Sequence, residues 1–94
     1  MADLSRLLES IGKKIFIDYY YEFNKPNLDK KALSEKLLRE NPNAESITGQ
    51  VTRVNCAIRI FENGLQIEAL ENIINSRVDG FIIKKAKDIL KLEK

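Results

Sequence analysis

The residue types that could do chemistry are concentrated in one predicted helix, which Ser46 caps at its N-terminus and which ends at Asn63-Gly64. The apolar residues of this helix recur at steps of four and three, the spacing of one helical face: Ile47, Val51, Val54, Ile58 and Phe61. At 100° per residue, four polar side chains fall together on another face, here called the polar ridge: Thr48, Thr52, Asn55 and Arg59. Arginine pairs with guanine, asparagine pairs with adenine, and threonine offers a hydroxyl and a methyl group. The polar ridge therefore suits the edges of DNA bases.

Residues around the polar ridge extend the predicted DNA contacts. Ser46, Thr48 and Gln50 lie at the N-terminal end of the helix, the end that usually enters the major groove first and whose free amides favour phosphate. The predicted phosphate contacts are basic side chains from three segments: Lys30, Lys31, Lys36, Arg53, Lys84, Lys85, Lys87 and Lys91. The alternative interpretation is that the ridge and the C-terminal lysines are solvated faces that only support the fold.

Turn signals divide the chain into about five helices, at roughly 3–23, 28–39, 46–62, 65–76 and from 78 or 79 onward. Gly12 is a candidate break in the first, because a glycine inside a helix costs about 1 kcal/mol relative to alanine. The aromatic run from Ile15 to Tyr21 has strand propensity, but no second strand is available to pair with it. The predicted fold is a compact all-α bundle. Ala32 in the second helix and Phe81 in the fifth are among the residues predicted to point inward.

The second and third helices resemble a helix-turn-helix. The segment Leu33-Ser34-Glu35-Lys36-Leu37 has the Leu-x-x-x-Leu pattern that is common in the supporting helix of that motif, and the helix after Ser46 stands where the recognition helix would. A third side of this helix, with Gly49, Cys56 and Ile60, is small and apolar, so another helix can pack closely there. The connection from Glu40 to Glu45 is longer than the turn of the motif and lacks its glycine, and two helices replace any β-wing.

Composition bounds the remaining possibilities. The 94 residues are expected to form one helical domain spanning 1–94. There is no histidine, Cys56 is the only cysteine, and the four glycines are isolated, which excludes a histidine-based triad, a Cys/His zinc site and a glycine-rich phosphate loop. No enzymatic activity, metal or cofactor is predicted. With no apolar run long enough for a membrane span or a secretory signal, a cytoplasmic location without membrane contact is expected.

Two functions remain open. The first is a small DNA-binding transcription regulator that acts on double-stranded DNA as a homodimer, because a single short module reads few base pairs. The second is a helical protein-interaction module, an adaptor or inhibitor, with an exposed apolar patch around Tyr19–Phe23 or on the fourth helix. The net charge of only +2 favours the second function over the first.

Overall fold

The computed structural model of the chain describes residues 3–41 and 46–93. Within these ranges the structure is helical and contains no strand, which confirms the all-α prediction. The helices are α1 (Leu4–Ile11), α2 (Lys13–Asp18), α3 (Tyr20–Phe23), α4 (Lys30–Glu40), α5 (Ile47–Glu62), α6 (Gln66–Ile74) and α7 (Gly80–Glu93). Seven helices replace the predicted five because the first predicted helix is divided twice.

The two breaks in the N-terminal segment have different origins. Gly12 takes a φ of +90°, a backbone conformation that only glycine adopts readily, so α1 ends there and α2 starts in a new direction. This confirms the break suggested by the sequence. The second break, at Tyr19, was not predicted; its φ of −114° and ψ of 19° lie outside the helical region. The aromatic run is thus helical, as preferred over a strand, but in two short pieces.

The start of α4 is fixed by a side-chain cap. The Asp29 carboxylate accepts a hydrogen bond from the Ala32 amide at 3.0 Å. Ala32 itself is exposed, so the prediction that it points inward was wrong. The helix instead turns Ser34 into the core, where its hydroxyl donates to the Lys30 carbonyl at 2.7 Å and is thereby satisfied. The apolar residues of α4 that are fully buried are Leu33 and Leu37.

Helix α5 lies between α1 and α4, and these two contacts are the most extensive that it makes. Its N-terminus is capped as the sequence predicts, because the Ser46 hydroxyl accepts a hydrogen bond from the Gly49 amide at 3.1 Å. Helices α6 and α7 pack mainly against each other, and α7 also touches α2. The connection between α4 and α5 includes residues 42–45, which lie outside the described ranges. The helix-turn-helix-like arrangement of α4 and α5 therefore stays a prediction.

The buried face of α5 differs from the predicted one. Its buried residues are Gln50, Val54, Ala57 and Ile60, whereas Ile47 and Val51 are 41% and 38% exposed. The centre of burial is turned by about 75° from the predicted apolar stripe, at 100° per residue. This difference arises because α5 packs against two neighbouring helices, and the most buried side of α5 lies between them. The small residues on that side, such as Ala57, allow the close approach.

The core joins the N-terminal segment to α5 through aromatic rings. The ring centroid of Phe16 lies 5.5 Å from that of Tyr20, 5.8 Å from that of Phe61 and 6.4 Å from that of Phe23. At the other end of the chain, α7 contributes Ile82, Ala86 and Ile89 to the core. Phe81 is 66% exposed, so the prediction that it points inward was wrong. With Ile82 facing the core, the 100° step between neighbours turns Phe81 outward.

Candidate nucleic-acid interface

The polar ridge is exposed along its whole length. Thr48, Thr52, Asn55 and Arg59 are all exposed, on the side of α5 opposite its buried residues. From Thr48 to Arg59 the ridge extends for about 16 Å, at 1.5 Å per residue. Because α1 and α4 hold α5 from the other side, the ridge is presented on a helix that the fold fixes in place. The structure thus brings together the four side chains that the spacing assigned to one face.

The hydroxyl groups at the start of α5 are partly used inside the helix. Ser46 is exposed, but its hydroxyl oxygen already serves as the cap for Gly49. The Thr52 hydroxyl donates to the Thr48 carbonyl at 3.1 Å. In that geometry Thr52 presents its oxygen as an acceptor and its methyl group to the surface, not a hydroxyl donor. Asn55 and Arg59 make no side-chain hydrogen bond within the described chain, so their donors stay available at the surface.

Gln50 does not join the exposed surface. It is only 3% exposed, so its predicted position among the surface residues of the helix N-terminus was wrong. Its amide nitrogen donates to the Ser46 carbonyl at 3.3 Å, and its amide oxygen accepts from Arg53 Nη1 at 3.1 Å. Arg53 is half-buried and held by this bond. Gln50 lies beside the predicted apolar stripe, but sequence periodicity missed its burial because a polar residue type gives no signal of burial.

The lysines of α4 fall into two groups. Lys30 and Lys31 are exposed at the start of the helix and form no ion pair with a described residue. Lys36 is half-buried, pairs with Glu22, and lies with Nζ 5.8 Å from the centroid of the Tyr19 ring. The hydrogen bond to Glu22 raises the pKa of Lys36 and thus favours the charged ammonium form of this side chain. Its charge is offset by a carboxylate of its own chain.

The lysines of α7 are divided in the same way. Lys84, Lys87 and Lys91 are exposed. Lys85 pairs with Asp18 of α2 at 3.0 Å, so it ties α7 to the N-terminal segment. The main packing partners of α7 are α6 and α2, while those of α5 are α1 and α4. The structure therefore does not bring the C-terminal lysines into the packing around the polar ridge.

The apolar patch predicted around residues 19–23 is mostly inside the fold. Tyr20 and Phe23 are buried, and Tyr19 is half-buried with its hydroxyl donating to Glu40 at 2.7 Å. Burial, and then this bond to a carboxylate, raise the pKa of Tyr19 to about 12. Of residues 19–23, only Tyr21 is exposed. On α6, which corresponds to the predicted fourth helix, the outward residues are largely polar. Ile47, Val51 and Phe81 were predicted to lie inside but are exposed apolar residues.

Other kinds of site can be described briefly. Cys56 is half-buried on the side of α5 that the sequence assigned to close packing. In the described ranges, no group of three or more His, Cys, Asp or Glu side chains could hold a metal ion. No helix there is both long and apolar enough to cross a membrane. Comparison with protein-family models, curated proteins and solved structures gave no match.

Proposed function

We propose that this protein binds double-stranded DNA as a small transcription regulator, with α5 in the major groove. The observation that carries the proposal is the exposure of Thr48, Thr52, Asn55 and Arg59 along one face of a helix held by its neighbours. An α-helix fits the major groove, and side chains of these types recognise base edges there. A fixed helix keeps such side chains in register with the bases.

The charge of α5 supports the same proposal. From Ser46 to Phe61 the helix carries Arg53 and Arg59 and no carboxylate; the first acidic residue is Glu62 at its C-terminal end. A surface that approaches phosphates gains from this absence of negative charge. The exposed Lys30 and Lys31, at the start of the neighbouring helix α4, are proposed phosphate contacts. Lys84, Lys87 and Lys91 remain proposed contacts only for phosphates away from the polar ridge, because α7 packs mainly against α6 and α2.

Two of the predicted phosphate contacts are expected to contribute less to DNA binding than the others. Lys36 and Lys85 already face Glu22 and Asp18. Turning either lysine toward a phosphate would leave a carboxylate unpaired close to the DNA, which reduces the net gain. Gln50 has no direct part because it is buried, and Arg53 contributes charge more than a directed bond.

The test is fluorescence anisotropy of a labelled duplex titrated with protein at low and moderate salt. Arg59→Ala should weaken binding about 5- to 150-fold on a guanine-containing selected site, since a bidentate arginine–guanine pair is worth about 1–3 kcal/mol. The matched control is Arg77→Ala, which removes the same charge from an exposed arginine between α6 and α7. Its effect should be small and equal on all sequences. Absence of salt-dependent binding by the wild-type protein, or equal effects of the two variants, would contradict the proposal.

A second candidate function, a protein-interaction module, is supported by a separate observation. Ile47 and Val51 are 41% and 38% exposed and lie four residues apart at the start of α5, beside the polar ridge. Apolar side chains on one exposed helical face are anchors for a protein groove. An interaction module should retain its partner in a nuclease-treated lysate and lose it in Val51→Ser. A DNA-binding protein should lose what it captured once the nuclease acts. The homodimer and the cytoplasmic location stay predictions.

A further inference from the structure

The outer side of α7 carries the two most exposed large apolar residues among those the structure describes. Phe81 is 66% exposed and Leu92 is 79% exposed. Eleven residues separate them, which at 100° per residue returns the helix to within about 20° of the same direction after three turns. Both side chains therefore project from one line along α7. The Lys85 ammonium lies 5.9 Å from the centroid of the Phe81 ring, and both apolar side chains are nevertheless largely exposed in the described chain.

Two oppositely charged residues lie on the same line between them. Phe81, Lys85, Asp88 and Leu92 follow one another at steps of four, three and four, the spacing of a helix–helix seam. Asp88 is exposed and forms no ion pair with a described residue. Lys85 contacts Asp18 with one of three ammonium hydrogens, and its side chain is 40% exposed, so it can donate to a second carboxylate.

The order of these four residues is complementary to itself when reversed. If a second α7 lies antiparallel along the line, Phe81 meets Leu92 of the other copy, and Lys85 meets Asp88 of the other copy. A two-fold axis passes between residues 86 and 87 and repeats both contacts, which is the requirement for an isologous interface. We propose that α7 is a homodimerisation surface on which two copies pair antiparallel through Phe81, Lys85, Asp88 and Leu92.

The charges on the two sides of the seam favour this occupant over others. A second copy supplies both an acidic and a basic group at matching positions, whereas DNA would meet Asp88 in the middle of the line. The exposed Lys84 and Lys91 lie at one edge of the seam and repel their counterparts in the antiparallel pair. Solvent and salt screen this edge. One helix from each copy buries less area than a standard stable interface, so the dimer is weak and depends on protein concentration.

The experiment is sedimentation equilibrium of the full chain from about 10 µM to about 1 mM, a range suited to an interface below standard size. The wild-type protein should form a concentration-dependent dimer. Phe81→Ala and Asp88→Lys should each raise the dissociation constant at least about tenfold, the first by removing the apolar contact and the second by placing two lysines opposite each other. Glu71→Lys on the exposed side of α6 makes the same charge change and should leave the dimer unchanged. A wild-type protein that stays monomeric at the highest concentration would overturn the proposal.

The antiparallel register has a test of its own. Lys85→Glu and Asp88→Lys should each associate poorly alone, but an equimolar mixture should form a heterodimer in which both charge pairs are restored. Circular dichroism establishes beforehand that each variant is helical, because Lys85→Glu also removes the ion pair with Asp18. A mixture no more associated than its components would refute the register. Neither result depends on whether the protein binds DNA.

Discussion

Gln50 is predicted to act through packing and not through recognition, and substitutions at this position separate the two roles. Its side chain is 3% exposed and lies on the side of α5 that faces its neighbours. Both of its hydrogen bonds are made within α5, to the Ser46 carbonyl and from Arg53. No other helix supplies a polar partner. The glutamine amide therefore fills space between helices without linking them.

The expected magnitudes follow from that environment. Gln50→Leu keeps most of the volume and removes two intrahelical bonds whose net worth is about 0.5–1.5 kcal/mol each, while it gains burial of apolar surface. The free energy of unfolding should change by about 1 kcal/mol or less. Gln50→Ala leaves a cavity and should cost about 2–3 kcal/mol, toward the lower end for large-to-small substitutions because the lost group is polar.

Urea unfolding followed by circular dichroism measures these stabilities, and duplex anisotropy is measured on the same samples. Gln50→Leu should bind DNA within about twofold of wild type, because a residue that cannot reach a base contributes no base readout. The matched variant is Asn55→Leu, which changes an exposed amide on the polar ridge in the same helix. A folded Gln50→Leu protein that loses as much DNA affinity as Asn55→Leu would refute this account. So would a destabilisation above about 2 kcal/mol, which would show that the amide bonds are essential.

Three further outcomes follow from particular contacts. Tyr20→Phe should change the free energy of urea unfolding by about 1 kcal/mol or less, because the buried Tyr20 hydroxyl makes no hydrogen bond of normal length in the described chain; a larger loss of stability would show that Glu93 accepts a hydrogen bond from this hydroxyl, whose pKa is raised by burial and then by Glu93. Gly12→Ala should cost about 1–2 kcal/mol, because φ is +90° there, whereas Gly80→Ala, with open space around its Cβ, should be neutral or stabilising; equal effects would refute the strain argument. The folded chain holds the Tyr19 proton more tightly than the unfolded chain, because the pKa of Tyr19 is raised. The resulting contribution to the free energy of unfolding is complete below pH 10 and is lost as the pH rises toward 12. Glu40→Gln should lower the pKa of Tyr19 in an absorbance titration of tyrosinate, and an unchanged pKa would exclude the contact with Glu40.

Much of the fold could be predicted because local signals and tertiary packing agree. The Ser46 cap and the Asn63-Gly64 end bound α5 as expected, and the polar ridge is exposed as its angles required. The division of the N-terminal helix at Tyr19 could not be predicted, since the residue types there favour no turn.

The orientation of helices about their own axes was the least predictable feature. Periodicity identifies an apolar face, but it does not say how many neighbours a helix has. For α5 the second neighbour turned the centre of burial, which buried Gln50 and exposed Val51. In α7 the side that carries Ile82 faces the core, so Phe81 is exposed to solvent. In both helices the neighbours decide which side is buried, and periodicity does not give their number or position.

The exposed apolar side chains of α7 distinguish its surface from the polar ridge. A small protein does not expose Phe81 and Leu92 on one line without cost in solubility, so a surface of this kind is best explained by an occupant. The polar ridge of α5, by contrast, has no carboxylate until Glu62 and needs no protein to cover it. The two surfaces also differ in charge, since the α7 line carries the oppositely charged Lys85 and Asp88 whereas the only charged residue of the polar ridge is Arg59. A self-complementary pattern suits a second copy of the chain, and a pattern of one sign suits a polyanion. Because these two patterns lie on different helices, pairing and DNA contact are proposed as separate functions that can be tested independently.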